Sequence, residues 1–586
     1  PGGPGRADPG RDPRGRDAVK RPPGARVIGL FALMALSLTV LAGRLVLLQV
    51  RDAATYEALA TEQRVRRISL PAERGTLYDR SMHELAMSLP AKAVYADPAM
   101  VSDPAETADR LAAILDVRPA ALRRSLASPS RFEYLARGVD LAVANQVARL
   151  DLPGIGFIDE PKRTYPGGPL AAQVLGFVGV DGAGLAGLEL QWDGVLAGRA
   201  GRMLVEQDPD GLSIPQGRLE LEEPRRGQDL VLTIDKDLQY FTERALARAV
   251  QRNGALGGTV IVMEPSTGDV LAMATNPGFD ANSYADAPAF VTRNRGVTDV
   301  YEPGSVNKVI TASAALEEGV IGIRERMWVP ARHQVGDKVF SEAHPRPAMS
   351  MTLTDIIAQS SNIGTIMTAQ RLGSERLDDY LRAFGFGVET GIRFPGESDG
   401  ILMPAEEWWT TSMGTIPIGQ GIAVTPLQMA SVYSTVANDG VRVAPRLVRG
   451  TVEGGELRER DPVVRTRVVS TRSARLVTRM LAEAVASGTG TEAQLPGYWV
   501  AGKTGTARKP LEDALGYSEE YVASFIGFAP ARDPAVVVAA IIDEPDTVYG
   551  GVAAAPLFRE VTGFALAHLR VPTSRPPPRL PSLVRG

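Results

Sequence analysis

An uncharged apolar segment near the N-terminus constrains the topology of the whole chain. It runs from Val27 to Gly43 as VIGLFALMALSLTVLAG, and the apolar pattern resumes after Arg44 as LVLLQV. This length is close to that of the shortest helix that spans a bilayer, and an arginine near one end can reach the lipid headgroups. Ahead of the segment seven cationic residues outnumber three aspartates, which indicates a cytoplasmic side. We therefore predict a cytoplasmic basic tail over residues 1–26 and a transmembrane anchor over residues 27–48.

The alternative for the same segment is a cleaved signal peptide. Val40-Leu41-Ala42 is compatible with a signal-peptidase site. We favour the uncleaved anchor because the apolar stretch continues past that site. Under either interpretation the bulk of the chain is exported.

The composition excludes several classes of protein. The length of 586 residues exceeds what one hydrophobic core organises, so several domains are expected. The lack of cysteine excludes thiol catalysis, disulfides and iron–sulfur clusters, and the four histidines form no metal-ligand motif. The net charge of −4 argues against nucleic-acid binding as the main activity. We expect no metal, no cofactor and no nucleic-acid partner.

The part of the chain between the anchor and residue 228 is predicted to form a mixed module. Residues 51–67 have the charge and apolar spacing of a helix that leads away from the membrane. Residues from about Ser69 to Leu221 are rich in glycine, and runs such as 93-AVYADP-98 and 174-VLGFVGVDG-182 are typical of short strands. A turn-rich break at 224-PRRGQ-228 ends the module, which we place at residues 49–228.

The following part of the chain is predicted to form a sheet with helices packed on it, over residues 229–571. Residues 229–252 have the pattern of a strand followed by an amphipathic helix, and residues 258–277 that of a hairpin. Two strong β runs follow at residues 521–530 and 535–545, and a final helix is predicted at residues 556–569. Residues 572–586 are proline-rich and predicted to be disordered.

Lysine is rare in this chain, which makes Lys308 informative. Arginine cannot lose its proton in a protein, whereas a lysine taken out of water can. Lys308 follows Ser305 by three residues on one face of a helix that Pro303-Gly304 begins. This predicts a nucleophilic serine activated by a neutral lysine, beside a helix N-terminus that favours an oxyanion. The motif alone is weak, since Ser-x-x-Lys is expected by chance about half the time.

Two further clusters carry polar side chains suited to a peptide substrate. In 359-QSSNIGT-365 the Ser360 hydroxyl could relay a proton, and the Asn362 amide could bind a peptide group. Taken alone, this cluster is more simply interpreted as a helix N-cap. In 502-GKTGTA-507 a strand presents Lys503 and two threonines, which suits a carboxylate, while Gly505 allows close approach of another backbone. A Lys-Thr-Gly triplet has a chance expectation of about 0.05.

In this order, the three clusters resemble the S-x-x-K, S-x-N and K-T-G set of penicillin-binding proteins and serine β-lactamases. The resemblance to class B penicillin-binding proteins covers most of the exported chain, including 74-RGTLYDR-80, 165-YP-166, 174-VLGFVGVDGAGLAGLELQWDGVLAGRAG-201, 231-VLTID-235, 293-RNRGVTDVYEPGS-305, 419-GQGIAVTPLQMA-430 and 524-SFIGFAPA-531. Asn362 and the RNRGVTD run are more similar to septal transpeptidases of the FtsI type than to elongation enzymes. One departure is Arg80-Ser81-Met82, where the family commonly has Arg-Asn-Gly, and it predicts an altered turn.

The resemblance implies an α+β multidomain fold. A single N-terminal transmembrane helix would lead into an elongated mixed pedestal, the module of residues 49–228. The module of residues 229–571 would be a serine transpeptidase domain, penicillin-binding and β-lactamase-like, with an antiparallel sheet flanked by helices.

The resemblance also implies a role for each motif residue in crosslinking peptidoglycan stem peptides. The catalytic residues would be Ser305, Lys308, Ser360 and Lys503, with Lys308 kept neutral by desolvation and neighbouring cations. The backbone N–H groups of Ser305 and Thr506 would form the oxyanion hole. Substrate would be bound by Asn362, Thr504, Gly505 and Thr506. A β-lactam would mimic the donor and trap Ser305.

The implied setting is the division septum. The anchor would lie in the inner membrane with the N-terminus cytoplasmic and the catalytic domain periplasmic or extracytoplasmic. An FtsW-type glycan polymerase and other division proteins are the expected partners.

The alternative functions are a D,D-carboxypeptidase that delivers water, a β-lactamase or β-lactam sensor, and a division scaffold that does not catalyse. The anchor and the long first module fit the β-lactamase poorly, and intact motifs argue against the scaffold.

Overall fold

The computed structural model describes residues 24–51, 65–206, 219–460, 463–511, 516–547 and 549–574. Most of the predicted basic tail, most of the predicted helix 51–67 and most of the proline-rich tail lie outside the described residues. The chain divides into two compact units, one formed by residues 1–70 and 201–223 and the other by residues 71–200 and 224–586.

The first unit contains one apolar helix and a small sheet. Helix α1 spans Gly24–Val46 and continues as a π-helical turn over Leu47–Arg51. Its apolar side chains are exposed, as for Phe31 and Leu36. A 23-residue helix is roughly 35 Å long, enough to cross the hydrocarbon core of a bilayer. The expected N-terminal apolar helix is confirmed.

The sheet of the first unit has three antiparallel strands. They are β1 (Val65–Leu70), β6 (Gly201–Glu206) and β7 (Leu219–Glu222), in the order β1-β6-β7. The helix predicted for residues 51–67 is wrong at residues 65–67, which belong to β1. These residues pair with β6 from a distant part of the chain, and a local spacing pattern carries no information about such pairing.

The strands of the second unit carry its topology. They are β2 (Leu77–Tyr78), β3 (Glu84–Ala96), β4 (Glu133–Asp140), β5 (Ile155–Thr164), β8 (Asp229–Leu232), β9 (Gly257–Met263), β10 (Val270–Asn276), β11 (Arg326–Val329), β12 (Arg332–Val335), β13 (Lys338–Ser341), β14 (Met349–Thr352), β15 (Val441–Val443), β16 (Val448–Glu453), β17 (Glu456–Glu459), β18 (Arg465–Arg467), β19 (Ala501–Pro510), β20 (Tyr517–Ala529) and β21 (Val536–Asp543).

Helices lie between these strands. They are α2 (Pro104–Leu115), α3 (Pro119–Leu126), α4 (Leu141–Ala148), α5 (Ala172–Leu175), α6 (Gly187–Gln191), α7 (Asp193–Leu196), α8 (Lys236–Arg252), α9 (Ala289–Thr292), α10 (Arg295–Thr298), α11 (Lys308–Glu317), α12 (Leu353–Ala358), α13 (Asn362–Leu372), α14 (Ser374–Ala383), α15 (Ser412–Thr415), α16 (Pro426–Ala437), α17 (Thr471–Ala486), α18 (Gly550–Ala553) and α19 (Ala555–His568). The predicted hairpin, the predicted strands near the C-terminus and the final helix are confirmed.

A five-stranded antiparallel sheet forms the centre of the second unit. Its order is β10-β9-β21-β20-β19, so β19 is an edge strand. Neighbouring residues of β9 enter different cores, because successive strand side chains point to opposite faces. Val260 and Val262 pack with α8 and α19, whereas Ile261 and Met263 belong to the core that includes α11 and α16. Burial on both faces explains the apolar runs VIVM in β9 and VVVAAII in β21.

A second sheet joins strands from both parts of this unit. Its order is β17-β16-β8-β2-β3-β4, with β5 paired to β3. Strand β8 pairs in parallel with β2 and antiparallel with β16. The strand predicted over residues 174–182 is wrong, because these residues form the end of α5 and a loop. Gly176 has a φ of +76° and lies against the backbone of Ala186, which requires a tight bend there.

The Arg80-Ser81-Met82 departure lies in the turn between β2 and β3. Both the Ser81 and His83 N–H groups donate to Asp79 Oδ1 at 2.8 Å. Met82 has a φ of +67° and is exposed. A residue with a Cβ is strained in this left-handed region, whereas glycine is not.

Candidate active site

Ser305 lies in a short 3₁₀ turn, Gly304–Asn307, that leads directly into α11. The predicted helix start at Pro303-Gly304 is confirmed. Two side chains hold the turn from the adjacent core. The hydroxyl of the fully buried Tyr433 donates to Val306 O at 3.1 Å, and Asn307 Nδ2 donates to Ile416 O at 2.8 Å. The nucleophile candidate is therefore fixed to a rigid part of the fold.

Lys308 is completely buried at the first position of α11. Its Nζ donates to the carbonyl oxygen of Ser360 and to Asn362 Oδ1, each at 2.7 Å. Ser360 Oγ is the third partner, at 3.2 Å. A neutral amine has two N–H donors, which the two carbonyl oxygens at 2.7 Å can accept, and one lone pair, which is then left for a proton. The surroundings of Lys308 therefore suit the neutral form.

Burial lowers the pKa of Lys308 to about 7, although the negative charge of Glu342 opposes this change. A lysine with that pKa is available as a base at neutral pH. Ser305 is half-buried, and its hydroxyl has no hydrogen-bond partner among the described residues. Hydrogen bonds between catalytic groups are often long before substrate binds and shorten in the complex.

In the 359–365 cluster the N-cap interpretation is confirmed, and the residues on either side of the cap contact Lys308. Ser361 caps α13, because its Oγ accepts from Gly364 N at 2.9 Å. Ser360 and Asn362, on either side of it, contact Lys308. Ser360 has a φ of +57°, a strained value for a residue with a side chain. The N-cap therefore holds the turn that directs the two flanking residues to the lysine.

Lys503 lies on the edge strand β19 and is 1% exposed. Its Nζ donates to Thr489 Oγ1 at 3.2 Å and to the side-chain and carbonyl oxygens of Thr504 at 3.1 and 3.2 Å. Burial and repulsion from Lys308 hold the pKa of Lys503 well below its usual range. Burial therefore opposes the cation that the sequence predicts here. A substrate carboxylate beside Lys503 would favour its charged form.

Two glycines bring the Ser305 turn against β19. Gly304 has a φ of +60°, and a Cβ on it would lie 2.8 Å from Thr506 O. A Cβ on Gly505 would lie 2.3 Å from Ser524 Oγ and 3.0 Å from Pro303 O. The motif glycine is thus required by packing against the Ser305 turn. Thr506 Oγ1 accepts from Gly550 N at 3.1 Å, which leaves its proton free for an acceptor.

Several residues of the site were not predicted from the sequence. For Thr489, the only sequence signal is the glycine-flanked turn 488-GTG-490. Tyr433 has no sequence signal that distinguishes it from any other aromatic residue in a core. Glu342 follows β13 and belongs to no recognisable motif. Among the described residues no group of three or more histidine or acidic side chains could hold a metal ion.

The fold and this site are those of a serine acyltransferase, with the buried Lys308 three residues after the candidate nucleophile Ser305. The model of the penicillin-binding protein transpeptidase domain matches residues 258–563, and the model of the penicillin-binding protein dimerisation domain matches residues 69–232. The chain belongs to the penicillin-binding protein transpeptidase family.

Curated relatives and solved structures agree with this family. Penicillin-binding protein PbpB of Mycolicibacterium smegmatis is 37% identical, over 94% of this chain and 91% of that protein. Peptidoglycan D,D-transpeptidase FtsI of Escherichia coli is 34% identical, over 92% of each chain. The crystal structure of penicillin-binding protein 3 from Mycobacterium tuberculosis, complexed with aztreonam, aligns with a TM-score of 0.69 at 33% identity, covering 87% of this chain and 99% of that one.

Proposed function

We propose that this protein is a peptidoglycan D,D-transpeptidase that crosslinks stem peptides during septal wall synthesis. The observation that carries the proposal is the buried Lys308, whose pKa is near 7 and whose Nζ contacts Ser360 and Asn362. The relatives named as D,D-transpeptidases support the reaction, and the FtsI name of one relative supports the septal setting.

Acylation would begin when Ser305 Oγ attacks the carbonyl carbon between two D-alanines. Neutral Lys308 takes the hydroxyl proton as the C–O bond forms. The backbone N–H groups of Ser305 and Thr506 stabilise the oxyanion. When the C–N bond breaks, Ser360 passes a proton to the departing D-alanine amine, assisted by the positive charge of Lys503. The product is an ester of Ser305.

The donor peptide would bind along β19, since an edge strand has backbone groups available for a further strand. Its terminal carboxylate would accept hydrogen bonds from Thr504 and Thr506 and would face Lys503. The Asn362 amide would hold a backbone group of the peptide, and Gly505 would let the peptide lie against the edge of β19. An amine of a neighbouring stem then attacks the ester, forms the new amide and frees Ser305.

The membrane setting belongs to the same proposal. Helix α1 would cross the inner membrane, with the N-terminus cytoplasmic and residues 229–571 as the extracytoplasmic transpeptidase domain. Residues 49–228 would act as spacer and docking module, and the anchor would contact an FtsW-type glycan polymerase. The exposed apolar side chains of α1 support the membrane assignment.

Product analysis distinguishes this activity from that of a carboxypeptidase. The full chain in detergent is incubated with a stem pentapeptide and a second stem that supplies the acceptor amine, and the products are identified by mass spectrometry. We expect a crosslinked dimer with release of D-alanine, absent in Ser305→Ala. Release of D-alanine with only hydrolysed donor would favour the carboxypeptidase, and the lack of any release would favour the scaffold.

A further inference from the structure

Glu342 directly follows β13 and accepts hydrogen bonds from the turn that carries Ser360. Its side chain is 5% exposed. Ser361 Oγ donates to Glu342 Oε1 at 2.6 Å, and Asn362 N donates to Glu342 Oε2 at 2.7 Å. Arg346 Nη2 also donates to Oε1, at 2.6 Å. One carboxylate thus accepts from two successive residues of the turn, with an arginine beside it.

Further hydrogen bonds around Ser361 and Asn362 hold the same turn in place. The hydroxyl gives its proton to Glu342 and accepts from Gly364 N and from Arg346 Nη2, the latter at 3.0 Å. Asn362 Nδ2 donates to Ser341 O at 3.3 Å, so the end of β13 itself is joined to the turn. The turn needs such support, because Ser360 has the strained φ of +57°.

We propose that Glu342 is a positioning residue of the transpeptidase site, which fixes the Ser360–Asn362 turn against Lys308 and acts on the lysine by its charge. The proposal rests on the proposed function, since it assigns a role relative to Lys308 as base. Three short hydrogen bonds and the burial of the carboxylate support this role. Charge-assisted hydrogen bonds of this kind are stronger than neutral ones.

Besides positioning the turn, Glu342 affects the pKa of Lys308 through its negative charge. Two titratable side chains face Lys308, those of Glu342 and Lys503, and the Glu342 carboxylate is itself paired with Arg346. Desolvation lowers the pKa of Lys308, and Glu342 raises it. Loss of the Glu342 charge should therefore lower the pKa of Lys308 further, whereas loss of the Arg346 charge should raise it.

The test is the pH profile of acylation by a fluorescent penicillin, for the full chain in detergent from roughly pH 5 to pH 9. Glu342→Gln keeps the shape of the side chain but removes its charge, and its amide nitrogen cannot accept from Asn362 N. We expect the plateau rate constant to fall roughly tenfold because the turn loosens. We also expect the acid limb to move to lower pH by roughly half a unit, because Lys308 becomes neutral at lower pH.

Two further variants sharpen the test. Arg346→Gln leaves Glu342 unpaired, and its acid limb should move in the opposite direction, to higher pH. Glu406→Gln changes an exposed glutamate of the short 3₁₀ helix Ala405–Glu407, which makes none of these contacts, and it should keep both the plateau and the acid limb of the unmodified protein.

An unchanged plateau and limb in Glu342→Gln would overturn the proposal, and so would a lower plateau with an unmoved limb, which indicates a purely structural carboxylate. If Glu342→Gln does not fold, Ser361→Ala takes its place, because it removes the hydroxyl that Glu342 holds and keeps the charge. Its plateau should then fall while its limb stays. An unchanged plateau in Ser361→Ala would reject the proposal. Failure of the unmodified protein to acylate at all would instead reject the proposed function.

Discussion

Lys308 has the burial and partners of a base, and its protonation should control acylation. The pKa of Lys308 is about 7, lowered by burial, and the neutral amine is the form that can take the Ser305 proton. The protonated form predominates below pH 7, so the acylation rate constant should fall toward acid and level off above neutrality. Stopped-flow measurement of acylation against pH checks this. A rate constant that does not change from roughly pH 5 to pH 9 would exclude lysine as the base.

Met82 offers a stability prediction that is independent of catalysis. It adopts a φ of +67° at an exposed position, where its side chain gains little from packing. Met82→Gly should raise the free energy of unfolding by about 1 kcal/mol, because glycine adopts this conformation without a Cβ clash. Thermal unfolding in detergent measures the change. Met100→Gly, at an exposed position with an ordinary φ, is the control and should destabilise; equal effects of the two substitutions would contradict the account.

At the scale of single residues, the sequence predicted the side chains that belong to motifs. Ser305, Lys308, Ser360, Asn362 and Lys503 were predicted because their spacing limits the chemistry. Thr489 and Glu342 were not, because they reach the site through tertiary folding and have no local pattern. The strain at Ser360 was equally hidden, since backbone dihedrals at a serine follow from the contacts that hold it.

Among the elements, the packing of the Ser305 turn on β19 depends on glycine. A Cβ on Gly304 would lie 2.8 Å from the Thr506 carbonyl oxygen, and the φ of +60° strains any other residue. Gly304→Ala should reduce the acylation rate constant at least tenfold, because the turn and the strand must separate. It should also lower the free energy of unfolding by about 1–3 kcal/mol.

The matched control is Gly319→Ala. Gly319 has a φ of +66°, but a Cβ there would meet no heavy atom within 4 Å. This variant reports the cost of the backbone conformation alone, and we expect it to acylate normally. If Gly304→Ala also acylates normally, the close contact between the turn and β19 does not matter for the site.

Element prediction succeeded where periodicity was strong and local. The hairpin of β9 and β10, the strands β20 and β21 and helix α19 were predicted from apolar runs and turn residues. The strand predicted over residues 174–182 was wrong because glycine-rich apolar runs also suit compact loops with close backbone contacts. The start of β1 was missed because its partner strand is remote in sequence.

In the whole molecule, a buried ion network ties together segments of the first module that are distant along the chain. Glu189 is fully buried; its Oε2 accepts from Arg74 Nε at 2.5 Å and its Oε1 accepts from Arg163 Nε at 2.7 Å. Arg74 Nη1 also donates to Asp193 Oδ1 at 2.6 Å. The RGTLYDR and GLELQWDG segments, noted for their resemblance to the family, therefore meet in one network.

Removing the charge at the centre of this network should destabilise the unit strongly. Glu189→Gln leaves two buried guanidinium groups without their carboxylate, which should cost about 3 kcal/mol in the free energy of unfolding. Glu106→Gln, an exposed glutamate of α2, should change it by less than about 0.5 kcal/mol. Denaturant titration of the full chain in detergent measures both values. Similar values for the two variants would mean that the network contributes no net stability.

For the whole molecule, the sequence predicted the order of the anchor and the two modules along the chain better than the strand pairing between distant segments. The apolar anchor and a sheet with helices packed on it were predicted from the residue pattern, whereas the α+β class was implied by the resemblance to the family. The sheet that joins β2 and β3 to β8 and β16 was not, because strand pairing between distant segments follows from burial of their shared faces.

The most direct test of the central claim is covalent labelling of the full chain by a fluorescent penicillin. Unmodified protein, Ser305→Ala, Lys308→Arg and the exposed control Lys338→Arg are compared in detergent, and the labelled residue is located by mass spectrometry. We predict stable labelling at Ser305 in the unmodified protein and in Lys338→Arg, and none in Ser305→Ala. Lys308→Arg should also fail, because arginine stays protonated. Labelling that survives in Ser305→Ala, or full labelling of Lys308→Arg, would contradict the account.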